Sequence, residues 1–163
     1  MKPVLKSQYK ASLAMLREAI RKCSGSLWLD GAYKHPFWRV AYHTLFFTDL
    51  YLSVSVDHFK PWAKHIDELE SLGSMIHKGG KLPRNGPAYA KDEIETYCDL
   101  VIGTVDAALD GLALDSESGF PWLPFSKLEL QLYNIRHVQH HAGQIIERLR
   151  QNLNEGVDWV GAR

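Results

Sequence analysis

The 163-residue chain lacks much of what a secreted, membrane-spanning or nucleic-acid-binding protein needs. It has only two cysteines, Cys23 and Cys98, far apart and outside any CxxC pattern. That excludes a disulfide scaffold and a cysteine zinc knuckle, and leaves two free thiols suited to a reducing compartment. No apolar run approaches the roughly 20 residues of a membrane span. The amino terminus, MKPVLKSQYK, lacks the apolar h-region of a signal peptide. The cytoplasm is therefore the expected location, with no membrane partner. A formal net charge of zero removes the general attraction that nucleic acid or anionic lipid would exert. There is also no GxSxG elbow, no GxxxxGK[ST] phosphate loop, no internal repeat and no interdomain linker. One domain spanning 1–163 is expected.

Hydrophobic residues make up 45% of the chain and charged residues 23%, ordinary for a globular domain with one sizeable core. The apolar residues recur with helical spacing in four places. Leu5, Tyr9, Leu13, Leu16, Ile20 and Cys23 form the first stripe, with Gly25 as its stop. Pro36 suits the first turn of a second helix striped by Phe37, Val40, His43, Phe47, Leu50 and Val54. A third stripe, Ile94, Tyr97, Val101, Val105, Ala108 and Leu112, follows the acidic start Asp92-Glu93. The fourth opens on the capping-box pair Ser126 and Glu129 and continues through Leu128, Leu132, Ile135, Val138, Ala142, Ile145 and Leu149. Nothing reads as a strand, so the fold class is all-α, a four-helix bundle.

Between the second and third helices, Asp57 to Ala88 make a crossover of about thirty residues, long for a compact domain. It contains Lys78-Gly79-Gly80-Lys81, Pro83 and Pro87, and its middle, Ala63 to Ile76, is expected to form a short extra helix. Such a crossover lets the second and third helices run parallel, whereas the last connection is short enough for antiparallel neighbours.

The chemistry is carried by histidine. In NIRHVQHHAGQI, residues 134–145, His137 and His141 stand four apart, which places both on one helix face and close enough for two imidazoles to meet one ion. His43 interrupts the apolar stripe of the second helix, where an unpaired polar ring would be costly. His141 leans toward the core between Val138 and Ile145. Three inward histidines on two facing helices point to a divalent metal ion held by His43, His137 and His141. His140 shares its face with Arg136, Gly143 and Glu147 and reads as a surface residue. His35, His58, His65 and His77 also read as surface groups. Gln144, one turn after His141, is positioned for a hydrogen bond behind a ligand. The residues between His137 and His141 are Val138, Gln139 and His140, so there is no HExxH and no carboxylate base of the metalloprotease kind.

At these residues the chain resembles the DinB-like (DinB/YfiT-like) superfamily of bacterial metal-binding four-helix bundles. The resemblance runs along WRVAYHTLFF, AKDEIETYCDLVIGTVDAAL and RHVQHHAGQI. The last carries the family's pattern of a histidine, three residues, a second histidine, a small pair and glutamine, here His137, His141, Ala142-Gly143 and Gln144. It implies an up-down-down-up bundle, His43, His137 and His141 as ligands to nickel or zinc, and a homodimer. Family members with known activity are similar to thiol-dependent transferases using bacillithiol, mycothiol or glutathione, or to hydrolases. The expected function is thus a metal-dependent thiol S-transferase, its partners a small-molecule thiol and an electrophilic substrate. The alternatives are a metal-dependent hydrolase, with Asp57 or Glu68 as candidate base, and a non-enzymatic metal-stabilised bundle.

Overall fold

A computed structural model describes residues 1–73 and 86–163. Those residues form α1 (Lys2–Lys22), α2 (Gly25–Trp28), α3 (Phe37–Leu52), a 3₁₀ turn (Val56–His58), α4 (Lys91–Gly111) and α5 (Lys127–Leu153). Among them there is no strand, only an isolated bridge between Glu117 and Ser126. The fold is all-α. None of the helices is long and apolar enough to cross a membrane.

Each long helix follows from local chemistry. α1 begins beside Pro3 and ends on Arg21 and Lys22, basic residues where the helix dipole is negative. Gly25 does not stop α1. The chain turns at Cys23, and the Ser24 side chain accepts the Leu27 N–H to open α2, of which Gly25 is the first residue. At the start of α4 the Glu93 carboxylate accepts the Ala90 N–H at 2.9 Å and the Lys64 ammonium at 2.8 Å. Ser126 Oγ accepts the Glu129 N–H at 3.2 Å, so the serine half of the expected capping box opens α5. Asn154, in the left-handed region at φ 53, closes it.

α3 is the innermost helix. All its residues are buried except His43 and Asp49, which are partly exposed. α1 packs on α4 and α5, and α3 packs on the same two helices. Leu5, Tyr9, Leu13, Leu16, Ile94, Tyr97, Val101, Val138, Ile145 and Leu149 meet in the core as the stripes require. Two stripe positions fall outside it. Val54 lies beyond the end of α3 and is 54% exposed, and Leu132 is 51% exposed. Successive four-residue steps overshoot a whole turn by about 40°, so a stripe that steps from Leu128 to Leu132 rotates out of the contact. Gln131 and Asn134 face inward instead and are fully buried. Gln131 accepts the Tyr9 hydroxyl at 2.8 Å and donates to the Tyr51 carbonyl at 3.1 Å, while Asn134 donates to the Thr48 carbonyl at 3.1 Å. These bonds tie α5 to α1 and α3 at a fixed rotation.

The aromatic residues are largely consumed in the interior. Tyr42, Trp62, Tyr89 and Tyr97 form one cluster behind α3, with Trp62 stacked on Tyr97 at 4.6 Å.

The crossover departs from expectation. Residues 59–73 run as turns and bends with no helix. The remainder of the expected 63–76 helix, together with Lys78-Gly79-Gly80-Lys81 and Pro83, lies outside the described residues. A helix is blocked at Glu68, whose φ of 72 is left-handed. The strap's backbone groups find partners across the fold. The Tyr89 hydroxyl accepts the Ile66 N–H at 2.9 Å and donates to the Lys64 carbonyl at 2.7 Å. Arg39, a residue only 6% exposed, donates through its guanidinium to the Ser71 carbonyl at 3.1 Å and the Glu68 carbonyl at 3.2 Å.

Candidate metal centre

The strap and the α3–α5 contact together shape the site. His43, on α3, projects toward α5, and His137 and His141, one turn apart on α5, project back. One nitrogen from each lies within 4.8 Å of the other two. His43 Nε2 is 3.0 Å from His137 Nε2. The ring centroids of His43 and His137 are 5.0 Å apart, and His141 lies 4.7 Å from both. The structure therefore brings together all three of the residues expected from the sequence.

The hydrogen bonds set the tautomers. His43 Nδ1 lies 2.6 Å from the Glu70 carbonyl oxygen. A carbonyl only accepts, so Nδ1 carries the proton and the Nε2 lone pair faces the other two rings. His141 Nδ1 is 3.0 Å from Gln144 Oε1, which leaves its Nε2 available in the same way and places the expected Gln144 hydrogen bond behind His141. His137 Nδ1 is buried with no hydrogen-bond partner. Around an ion bound at 2.0–2.1 Å, tetrahedral ligand nitrogens stand about 3.3 Å apart. The 3.0 Å separation already observed between His43 and His137 matches that spacing closely. The donor set fits a divalent ion.

Electrostatics favour the ligating form of all three rings. Burial, reinforced by His137 and His141, holds His43 well below the usual histidine value. Burial, with smaller contributions from His141 and His140, lowers His137 to about 3. His141 is also lowered, mainly by burial, against the opposing hydrogen bond from Gln144. All three are neutral at neutral pH, as metal ligation requires. The Phe47 ring, 4.8 Å from His43 and 5.9 Å from His137, makes one wall apolar. His140 is exposed, its ring 4.8 Å from that of His141, and lies outside the three-histidine group.

A family model, a characterised protein or a solved structure that matches this chain is not found by comparison with any of the three.

His65 corrects the sequence reading. Rather than a surface group, its side chain is 15% exposed. It lies against Phe46 at 4.9 Å and within 2.6 Å of the Tyr42 hydroxyl. His65, Asp67 and Glu70 form a second group whose donor atoms lie within 4.8 Å of one another. The one-strap spacing His-x-Asp-x-x-Glu was the signal for it. The two carboxylates named as candidate bases are placed elsewhere. Asp57 is exposed and lines a cleft with Ser118 and Gly119, and Glu68 serves the strap through its carbonyl. The buried carboxylate of the crossover is Glu70.

Proposed function

We infer that the protein binds one divalent ion through His43, His137 and His141 and uses it as a thiol S-transferase. What carries this reading is the composition of the set: three converging neutral imidazoles with no cysteine or carboxylate among them. Closed structural sites use four protein ligands, whereas three leave room for an exchangeable one. A divalent ion there supplies Lewis acidity and favours the deprotonated form of a thiol beside it. The chain's own residues hold the ligands neutral, orient them through the Glu70 carbonyl and Gln144, and keep one wall dry with Phe47. In the transfer a sulfur–carbon bond forms as the carbon–leaving-group bond breaks. The leaving group departs with the electron pair, and the thiol proton passes to solvent.

Zinc or nickel is the ion this donor set suits. The wider reading includes the DinB-like resemblance, the up-down-down-up order of α1, α3, α4 and α5, a homodimer and a cytoplasmic setting. The helix order is supported by α1 and α3 each packing on both α4 and α5, although α4 and α5, expected as antiparallel neighbours, do not pack closely on each other, and the cytoplasmic setting by two cysteines that are both free thiols. Light scattering at micromolar concentration tests the dimer. The hydrolase alternative gains from one observation: Glu70, whose carbonyl bonds His43, also belongs to the His65–Asp67–Glu70 group on the strap.

Substituting cobalt for the ion separates these readings. Adding a low-molecular-weight thiol to the cobalt protein should produce a sulfur-to-metal charge-transfer band, and an electrophile should then consume the thiol at a metal-dependent rate. Turnover of an ester or amide without thiol would favour the hydrolase. A spectrum unmoved by thiol in a fully loaded protein would remove the transferase.

A further inference from the structure

The outward face of α5 carries a furrow that runs from Phe125 to His140 and borders the histidine centre only at His137. Two clefts of about 480 and 510 Å³ lie along it and share Tyr133 and Arg136. Both volumes fall within the range of small-ligand pockets. Leu128, Leu132, Arg136 and His140 succeed one another at four-residue steps, each about 40° round from the last, so the furrow winds about the helix, the first three lining one cleft and the last two the other. Leu132 is 51% and Tyr133 37% exposed, and the Phe125 ring closes on Tyr133 at 5.8 Å. At about 1.5 Å of rise per residue, the apolar end at Leu128 lies about 12 Å from Arg136.

Charge is distributed unevenly along this furrow. Arg136 is exposed and forms no ion pair among the described residues, unlike Arg17 with Asp99 or Arg150 with Glu147. The cleft on its carboxyl-terminal side is lined by Tyr133, Arg136, His137, Gln139 and His140, with no acid. Glu129, the one acidic residue lining either cleft, stands two turns back at the apolar end. An unpaired guanidinium beside exposed Leu132 and half-buried Leu128 matches a ligand with one anionic head and an apolar body. A carboxylate meets the planar fork of arginine with two parallel hydrogen bonds, and covering the leucines removes apolar surface from water.

We propose that this furrow binds a small amphipathic carboxylate, its head on Arg136 and its alkyl or aryl body along Leu132 and Leu128 toward Phe125. The head is placed on Arg136, although the cleft on that side also reaches His137 of the three-histidine group.

Decanoate, kept below its micelle concentration, is the probe, titrated calorimetrically into the full chain. Saturable binding of one decanoate per chain is expected, with acetate and decanol each at least tenfold weaker. Arg136→Gln should weaken decanoate at least tenfold and Leu132→Ser several-fold, both with unchanged circular dichroism. His43→Ala should leave it unchanged. The proposal is overturned if Arg136→Gln binds like the parent, if decanol binds as well as decanoate, or if His43→Ala abolishes binding, since the carboxylate would then sit on the metal centre. It is also overturned if light scattering shows a dimer that Leu132→Ser dissociates and decanoate does not bind, which would assign the furrow to a second copy of the chain.

Discussion

His137 and His140 are three residues apart on one helix yet sit in opposite environments. His137 has a buried Nδ1 and an Nε2 facing His43, whereas His140 is exposed. Replacing His43, His137 or His141 by Ala should therefore remove most of the bound metal. His140→Ala should leave stoichiometry unchanged. Elemental analysis of the four purified variants decides this, and full metal content in His43→Ala would end the three-histidine centre. Gln144 acts one step back, by accepting the His141 Nδ1 proton at 3.0 Å. Losing such an orienting partner typically costs 10–100-fold in affinity, so Gln144→Ala should retain metal at saturation but lose it to a chelator at lower concentration than the parent. This much of the site was legible because helical spacing fixes which histidines share a face. The hydrogen bond from His43 to the Glu70 carbonyl was not, since it joins residues brought together only by the strap.

The strap is the element on which that bond depends, and Arg39 is what holds it. Arg39 lies one turn before His43 on α3 and donates to the carbonyls on either side of Glu70, those of Glu68 and Ser71. Arg39→Met keeps the buried stem but releases both carbonyls. It should lower metal affinity by about tenfold or more through a misplaced Glu70 carbonyl, while α-helical circular dichroism is retained. An unchanged chelator competition curve would show that the strap keeps its place without Arg39. A second tertiary clasp closes the other end of α3. The Lys127 ammonium, on a side chain 1% exposed, donates to the Val54 carbonyl at 2.6 Å and to the Ser118 carbonyl. Beside it Gly119 has φ +80, and a Cβ there would run into the Val54 carbonyl oxygen. Gly119→Ala should destabilise by at least about 1–2 kcal/mol, since left-handed backbone and collision add; urea denaturation measures it. Elements of this kind escape sequence reading for a physical reason. The four long helices are written in local periodicity, whereas the strap and the Val54–Lys127 clasp are set by contacts between distant residues. For the same reason a helix was expected over 63–76, of which residues 63–73 instead have backbone groups of Lys64, Ile66, Glu68 and Ser71 satisfied by Tyr89 and Arg39.

At the scale of the whole molecule, burying three histidines neutral makes the metal-free protein sensitive to acid. The unfolded chain protonates an imidazole near pH 6.5. Burial lowers His43 and His141 below that value and His137 to about 3. Above about pH 6.5 neither state holds the proton and the sites do not affect stability. Below it the unfolded state binds protons that the folded state cannot, so unfolding becomes easier as pH falls, by up to about 1.4 kcal/mol per pH unit for each such histidine. Glu93 and Asp106 are lowered from the usual carboxylate value and so act below it, while partly buried Asp49 is raised, chiefly by burial, and opposes the histidine slope as pH falls. His35 is lowered too, chiefly by burial, and adds to the slope in the same direction. Urea midpoints of the metal-free chain should therefore fall steadily between pH 6.5 and 5. His137→Gln should flatten that slope by about 1.4 kcal/mol per pH unit, even if it lowers stability at pH 7. Metal-loaded protein should start higher and fall more steeply, because protons then also displace the ion. A midpoint that stays level from pH 7 to 5 in the metal-free chain would mean that the rings accept protons freely in the folded state, which a site packed between α3 and α5 does not allow.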